Sequence, residues 1–157
     1  MKIGQGFDAH RFAEGSEIIL GGVTIPHNKG IEAHSDGDVL LHAICDALLG
    51  AAGLGDIGVH FSDQDDVNKN RNSREFITQT LEMLKAHGLS VGNIDATIIL
   101  QKPKLSAYMQ QMREIIAKDL AITVNQVNIK ATTTERMGFV GREEGIAAMA
   151  VVLLNNE

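Results

Sequence analysis

Apolar and polar residues alternate along several stretches of the chain, which is the pattern of half-buried β-strands. Residues 3–12 predict a strand that two glycines interrupt, and residues 17–26 predict a β-hairpin. Residues 91–101 and 127–133 predict two more strands. The final apolar run, residues 146–154, predicts a strand that is buried on both faces or in a subunit interface.

Helical periodicity accounts for three other stretches. Residues 34–52 predict an apolar, alanine-rich helix that Ser35 or Asp36 caps. Residues 72–88 predict a second helix, which begins with a capping box. A third helix is expected over residues 106–120, with Ser106 as its cap.

These elements together predict an α+β fold, an α/β sandwich in which helices cover one face of one mixed four-stranded sheet beside an N-terminal β-hairpin. The chain of 157 residues has the length of a single domain, residues 1–157. One layer of helices would leave the other face of the sheet bare, and that face could form an oligomer.

Charge and composition exclude several classes of function. The net charge of −6 and the absence of a basic patch interleaved with aromatic residues argue against a nucleic-acid partner. With no signal-peptide core and no apolar run of membrane-spanning length, we expect a cytoplasmic protein without membrane contact. The single cysteine, Cys45, lies in an apolar helix, so that any metal site must use His, Asp and Glu.

Histidines and carboxylates are concentrated in two short motifs. Asp8 and His10 lie on the same side of a predicted strand, and residues 34–42 place His42 on the following helix. If the strand and helix pack together, these side chains supply three N/O ligands with an open fourth position, as in a catalytic zinc site. Other divalent ions fit the same ligands. The alternative to a metal site is that His42 is a buried core histidine at a polar helix start.

A second group of polar residues follows the later strands. Residues 130–135 offer three threonines to a phosphate, and Glu135 could hold a hard cation such as Mg²⁺ or Mn²⁺. Lys104 and Arg142 are further phosphate candidates. The alternative for residues 130–135 is a strand edge rich in β-forming threonine. The alternatives for Lys104 and Arg142 are a solvated surface lysine and a surface salt bridge. The acidic stretch over residues 53–71 is either a functional loop or a solvated connector.

Several motifs along the whole chain resemble the 2-C-methyl-D-erythritol 2,4-cyclodiphosphate synthase family. The order and spacing of these motifs also match those of the family. The motifs are Gly6-Phe7-Asp8-Ala9-His10, Ala33-His34-Ser35-Asp36-Gly37-Asp38, Gly55-Asp56-Ile57-Gly58, Pro103-Lys104, Lys130-Ala131-Thr132-Thr133-Thr134-Glu135 and Gly138-Phe139.

This resemblance implies an enzyme of the non-mevalonate isoprenoid pathway, a phosphorus–oxygen lyase. Its substrate is 4-diphosphocytidyl-2-C-methyl-D-erythritol 2-phosphate, whose 2-phosphate attacks the β-phosphorus of the diphosphate. CMP leaves and an eight-membered cyclic diphosphate forms. Because the reaction brings anions together, positioning and charge neutralisation should dominate catalysis. The resemblance also implies a homotrimer with active sites between subunits.

The resemblance assigns roles to individual residues of this chain. Asp8, His10 and His42 match zinc ligands, and Glu135 matches the ligand of a second ion, Mg²⁺ or Mn²⁺. His34 and Thr133 match residues that stabilise the transition state. Substrate contacts are implied for Asp8, Ala9, His10, His34, Ser35, Asp56, Ile57, Gly58, Phe61, Ser62, Asp63, Gln64, Asp65, Leu100, Gln101, Lys102, Pro103, Lys104, Leu105, Ser106, Ala131, Thr132, Thr133, Thr134, Glu135, Phe139 and Arg142.

Within this set, residues 61–65 match a loop that closes over the substrate, although a serine stands where many members have proline. Residues 100–106 and 131–133 match the cytidine and diphosphate pocket. We expect this pocket to come from the subunit next to the one that supplies the zinc ligands, with Glu135 on the chain of those ligands. Two other functions remain open, a zinc phosphoesterase and a trimer that binds nucleotides without turnover.

Overall fold

The computed structural model describes residues 1–62 and 64–156, and four strands precede the first helix. The strands are β1 (Lys2–Ala13), β2 (Glu17–Leu20), β3 (Val23–Pro26), β4 (Gly30–Glu32), β5 (Leu89–Ile99), β6 (Val127–Thr132) and β7 (Gly145–Asn156). The helices are α1 (Val39–Ala52), α2 (Ile57–His60), α3 (Ser73–Ala86), α4 (Met109–Asp119) and α5 (Gly138–Gly141), with 3₁₀ turns at Asp66–Asn68 and Val124–Gln126.

The main sheet has five strands in the order β4-β1-β7-β5-β6, and β2 and β3 form the predicted hairpin. The sheet is mixed, as predicted, because β5 and β6 run parallel while the other pairs are antiparallel. The prediction of four strands is wrong. The strand that it missed is β4, which has only three residues, too few to show an alternating pattern.

Strand β1 runs without interruption through its two glycines, which corrects the predicted break. Both glycines lie where α1 crosses the strand. A Cβ atom on Gly4 would approach the carbonyl oxygen of Ala47 to 1.9 Å, and one on Gly6 would approach that of Ala43 to 2.0 Å. The missing side chains therefore let the backbone of α1 rest directly on β1.

Helix α1 begins at Val39, and its N-cap is Asp38, so the prediction of Ser35 or Asp36 as the cap is wrong. The carboxylate of Asp38 is fully buried and accepts the backbone N–H of Leu41 at 3.1 Å. It also accepts the N–H groups of the glycines in the β2–β3 turn at 3.0 and 2.8 Å. This buried carboxylate fixes the start of α1 to the hairpin.

The other helices differ from the sequence prediction mainly at their ends. Asn72 caps α3, as predicted from the capping motif. Helix α4 begins at Met109, so Ser106 is not its cap, because a turn closed by the Tyr108 N–H on the carbonyl of Leu105 precedes the helix. Among residues 1–62 and 64–156, no helix has the length and apolar character needed to cross a membrane.

The helices pack on one face of the sheet and leave apolar side chains exposed on the other. Ile3 and Phe7 on β1 are 72% and 52% exposed, and Met149 and Val151 on β7 are 42% and 46% exposed. Phe7 pairs with Met149 in the ladder, so these side chains share one face. Strand β7 is thus buried on both faces at its start, and from Met149 to Val152 it is buried on one face only within the single chain.

Candidate active site

Asp8, His10 and His42 meet where β1 passes beneath the first turns of α1, and we call them the histidine cluster. The Oδ2 atom of Asp8 lies 3.0 Å from Nδ1 of His42 and 3.1 Å from Nε2 of His10. The two ring nitrogens are themselves 3.1 Å apart. One ligand atom from each residue therefore occupies a corner of a nearly equilateral triangle.

This triangle fits a divalent metal ion. Ligands of a tetrahedral zinc ion, at roughly 2.0–2.2 Å from the metal, lie about 3.3–3.6 Å from one another, so the triangle needs to open by only a few tenths of an ångström. A carboxylate oxygen with two imidazole nitrogens is also a donor set that zinc and related ions accept. The prediction that Asp8, His10 and His42 come together is confirmed, and the three residues form a group that could hold a metal ion.

Interactions among the residues of the histidine cluster shift the pKa values of Asp8 and His42. Burial would raise the pKa of Asp8, but the hydrogen bonds and charges of His10 and His42 lower it to about 2. Burial would lower the pKa of His42, but its hydrogen bond with Asp8 and the neighbouring carboxylates raise it. In the metal-free protein, His42 thus retains its proton to a higher pH than an ordinary histidine, and a cation that binds there must displace it.

The other ring nitrogen of His42 has partners that the sequence analysis missed. Its Nε2 atom lies 2.8 Å from the hydroxyl of Ser73, which donates a hydrogen bond to the carboxylate of Asp36. The Phe76 ring packs beside the His42 ring, with centroids 6.0 Å apart. Ser73 is 31 residues from His42 and is the first residue of α3, so the sequence marks it only as part of a helix start.

The histidine cluster opens into a cleft of about 270 Å³. A larger cavity of about 680 Å³ lies beside Arg11, Lys29 and Arg142, but it does not include the cluster, so the smaller cleft is the candidate active site. Besides the cluster, the cleft is lined by Glu32, Ala33, His34, Ser35, Ile57, Gly58, Phe61, Asn68 and Phe76. The structure thus brings His34, Ser35, Ile57, Gly58 and Phe61 together with the histidine cluster, while their contact with substrate stays a prediction.

Two hydrogen bonds hold the start of α2 beside the cleft. The carboxylate of Asp46, one turn beyond His42 on α1, accepts the Ile57 N–H at 2.8 Å. Asp56 caps α2 by accepting the Val59 N–H at 3.0 Å. Helix α1 therefore carries a ligand of the cluster and also anchors the segment that contains Asp56 and Ile57.

The predicted closing loop, residues 61–65, begins with a buried aromatic side chain. Phe61 stacks on Phe76 with ring centroids 4.7 Å apart. Farther along, the Gln64 N–H donates to the hydroxyl of Ser62 at 3.1 Å, and Asp65 caps the 3₁₀ turn that follows. Asp63 lies outside the described residues.

The residues predicted for the cytidine pocket also come together, at the edge of the sheet formed by β5 and β6. The Leu100 N–H donates to the carbonyl oxygen of Thr132 at 3.0 Å, which joins residues 100–106 to residues 131–135. Leu100 and Leu105 are buried, while Lys104 is exposed. The buried Oε1 atom of Gln101 has no hydrogen-bond partner within the described part of the chain.

The two groups of residues lie at the same end of the sheet but on different strands. In the sheet, Ala9 of β1 pairs with Ala147 of β7. Ala147 in turn pairs with Ile99 of β5, and Ile99 pairs with Thr132 of β6. Three strand spacings correspond to about 14 Å. The histidine cluster and the cytidine residues of one chain are therefore well separated.

The segment that connects β6 to β7 contains the remaining residues predicted to bind the substrate. The Glu135 N–H donates to the hydroxyl of Thr133 at 3.2 Å, and both residues are exposed beyond the end of β6. Phe139 borders a small cavity that includes Ala9 and His10. Arg142 forms a surface salt bridge with Glu144 at 2.7 Å and lines the larger cavity, which leaves its role in substrate binding as a prediction.

Cys45 is unsuited to act as a nucleophile. It is fully buried within α1, and burial raises the pKa of its thiol to about 12. Only a negligible fraction is thiolate at neutral pH, so this side chain behaves as an apolar core residue.

Comparison with known proteins agrees with this geometry. The family model described as the YgbB family matches residues 1–155. The chain is 58% identical over 154 residues to the 2-C-methyl-D-erythritol 2,4-cyclodiphosphate synthase of Ectopseudomonas mendocina, with 98% of each chain covered.

Solved structures show the same fold. The bifunctional IspDF from Campylobacter jejuni has a TM-score of 0.96 and 45% identity, covering 99% of this chain and 42% of that longer one. The CDP complex of IspF from Plasmodium falciparum has a TM-score of 0.87 and 33% identity, covering 99% and 96% of the two chains. The resemblance predicted from the motifs is confirmed, and the chain belongs to the YgbB family.

Proposed function

We propose that the chain converts 4-diphosphocytidyl-2-C-methyl-D-erythritol 2-phosphate into 2-C-methyl-D-erythritol 2,4-cyclodiphosphate. An oxygen of the 2-phosphate forms a bond to the β-phosphorus, and the bond from that phosphorus to the bridging oxygen breaks, so that CMP leaves. The observation that carries this proposal is the histidine cluster at the mouth of a cleft, in a chain 58% identical to a synthase of this name.

The histidine cluster is the proposed zinc site. Asp8 contributes a negative charge, while His10 and His42 contribute neutral nitrogens from a strand and a helix that pack together. Zinc bound there would supply a Lewis acid for an oxygen of the β-phosphate. His34 lines the same cleft and is half-buried, so its ring can orient or donate to a phosphate group.

Glu135 is the proposed ligand of a second cation, Mg²⁺ or Mn²⁺. Its carboxylate is exposed, and its backbone is held by the hydroxyl of Thr133. Carboxylate oxygens suit hard cations, which keep part of their coordination for substrate phosphates. Thr133 is the proposed partner of His34 in stabilising the charge that develops on the transferring phosphoryl group.

We place the methylerythritol part of the substrate in the cleft and the cytidine at residues 100–106 and 131–133. The hydrogen bond that the Ile57 N–H donates to the carboxylate of Asp46 supports the first part by fixing residues 56–58 at the cleft. The hydrogen bond between Leu100 and Thr132 supports the second part, because it joins both halves of the nucleotide pocket. The CDP complex of the Plasmodium falciparum relative supports a cytidine nucleotide as the ligand.

A homotrimer would unite these two regions. Since they lie about 14 Å apart in one chain, a neighbouring chain can present its cytidine residues to the cleft of the first. The exposed apolar face with Ile3, Phe7, Met149 and Val151 supports this assembly, because such a face is normally covered. The predicted cytoplasmic location stays a prediction.

Chromatographic analysis of the products tests the proposal against its alternatives. Purified protein, incubated with the substrate, Zn²⁺ and Mg²⁺, should release CMP without inorganic phosphate. A phosphoesterase would release inorganic phosphate, and a nucleotide-binding trimer would leave the substrate intact. Either of these outcomes would refute the proposed reaction.

A further inference from the structure

We propose that Ser73 and Asp36 are positioning residues that fix the tautomer of His42, so that its Nδ1 atom presents a lone pair to the metal position. This inference rests on the proposed metal centre. Neither side chain belongs to the metal-ligating group, and both lie behind His42, on the opposite side of the ring from Asp8.

The argument begins with the two ring nitrogens of His42, which have different surroundings. Nδ1 faces the histidine cluster, with Asp8 Oδ2 at 3.0 Å. Nε2 faces away from it, toward the hydroxyl of Ser73 at 2.8 Å. A neutral imidazole has one N–H donor and one acceptor nitrogen, so the partner of Nε2 decides which nitrogen is free to bind a cation.

The hydroxyl of Ser73 has a single proton, and the carboxylate of Asp36 accepts it. The second carboxylate oxygen of Asp36 accepts the backbone N–H of Ser73 at 3.0 Å. Because an ionised carboxylate only accepts, the Ser73 oxygen cannot donate toward His42 and must accept from it. Nε2 therefore carries the proton of the neutral ring, and Nδ1 presents its lone pair once a metal displaces the proton shared with Asp8.

This chain of hydrogen bonds lies in a rigid part of the fold. Ser73 is fully buried at the first position of α3, and the Asp36 N–H donates to the carbonyl of Arg71 at 3.1 Å. Ser35 also approaches Nε2, but at 3.2 Å, and its hydroxyl is half-exposed at the cleft. Metal-binding histidines usually donate their second N–H to such a supporting group, and its loss commonly weakens metal affinity by about 10–100-fold.

The test is the zinc affinity of the full-length protein, measured by competition with a chromophoric chelator. Ser73→Ala should bind zinc about 10–100-fold more weakly than the wild type. Asp36→Asn should also weaken binding, because its amide can donate to Ser73 and free that hydroxyl proton to turn toward Nε2. The matched control is Thr80→Val, which removes another buried hydroxyl of α3, one that contacts Cys45 rather than His42.

Cobalt substitution provides a spectroscopic readout that a general loss of stability would not move. The visible absorption bands of bound Co²⁺ should change in Ser73→Ala and remain as in the wild type in Thr80→Val. If Ser73→Ala fails to fold, Asp36→Asn together with ¹⁵N spectra of the zinc-loaded wild type, which report the protonated nitrogen of His42, tests the same claim.

Wild-type affinity in Ser73→Ala and Asp36→Asn, or an Nε2-bound metal in the wild type, would overturn the inference while leaving the metal centre intact. A loss of affinity in Ser35→Ala but not in Ser73→Ala would also overturn it. A wild-type protein that binds no zinc would instead refute the proposed metal centre, and this inference with it.

Discussion

Asp8 and His42 are 34 positions apart in the chain, yet their carboxylate and ring nitrogen lie 3.0 Å from each other. The close approach of α1 to β1 brings them together. That approach depends on Gly4 and Gly6, where any larger residue would strike the helix backbone. The histidine cluster is thus built where α1 packs on β1, at two positions of the strand that carry no side chain.

Replacing His42 should abolish turnover and leave a folded protein. His42→Ala removes one corner of the ligand triangle, and two remaining ligands hold a divalent ion poorly. Zinc content and turnover of the variant are the measurements. His87→Ala is the matched control, because His87 is exposed at the end of α3. Full activity of His42→Ala in the presence of a chelator would contradict the proposed role.

Zinc binding should weaken as the pH falls. The hydrogen bond and charge of Asp8 outweigh burial and raise the pKa of His42, so the metal-free protein retains a proton on this ring to a higher pH than an ordinary histidine. Zinc must displace that proton, so its apparent affinity should fall by about tenfold per pH unit below the raised pKa. Chelator competition between pH 8 and 6 measures this slope, and an affinity independent of pH would argue against it.

Asp38 should give the stability of the metal-free protein a distinct pH dependence. Burial raises the pKa of Asp38 from 3.8 to about 6, despite three backbone N–H donors. The folded protein then binds this proton more tightly than the unfolded chain, so the stabilisation is complete below pH 3.8 and lost as the pH rises through 6. Relative to Asp38→Asn, the wild type should lose up to about 3 kcal/mol between pH 4 and 7.

Urea unfolding of the two proteins with chelator present measures this difference. The matched control is Asp66→Asn, which neutralises an exposed carboxylate in the 3₁₀ turn. A free-energy difference between the wild type and Asp38→Asn that stays constant from pH 4 to 7 would rule out the raised pKa.

Most of the fold could be predicted because periodicity records which face of an element is buried. Strand β5 shows this, with Ile94, Ala96 and Ile98 buried and Asp95 exposed. The three residues of β4 are too few to carry such a pattern, and their place in the sheet depends on pairing with β1.

The histidine cluster was predictable because its residues occur in short motifs, on the first strand and the first long helix of the chain. The contribution of Ser73 could not be predicted in the same way. It depends on where the start of α3 lies relative to His42, and this is a result of packing alone. The cap of α1 was predicted wrongly because three acceptors, Ser35, Asp36 and Asp38, compete locally, and only the hairpin turn selects Asp38.

Mixed assemblies should reveal whether the active site is shared between subunits. His42→Ala chains lack a metal ligand, and Lys104→Ala chains lack a cation at the proposed diphosphate site. In trimers assembled from equal amounts of both, about a quarter of the interfaces would combine an intact metal half with an intact cytidine half. Activity should therefore rise well above that of either variant alone. Mixed trimers that form but stay inactive would exclude the shared arrangement for these two residues.

The phosphorus spectrum of the reaction tests the central claim most directly. Metal-stripped protein is incubated with 4-diphosphocytidyl-2-C-methyl-D-erythritol 2-phosphate, before and after Zn²⁺ and Mg²⁺ are added. We predict no change before the addition, and afterwards the paired signals of a cyclic diphosphate together with the single signal of CMP. Unchanged substrate after metal addition, or a signal of inorganic phosphate in place of the cyclic product, would contradict the account.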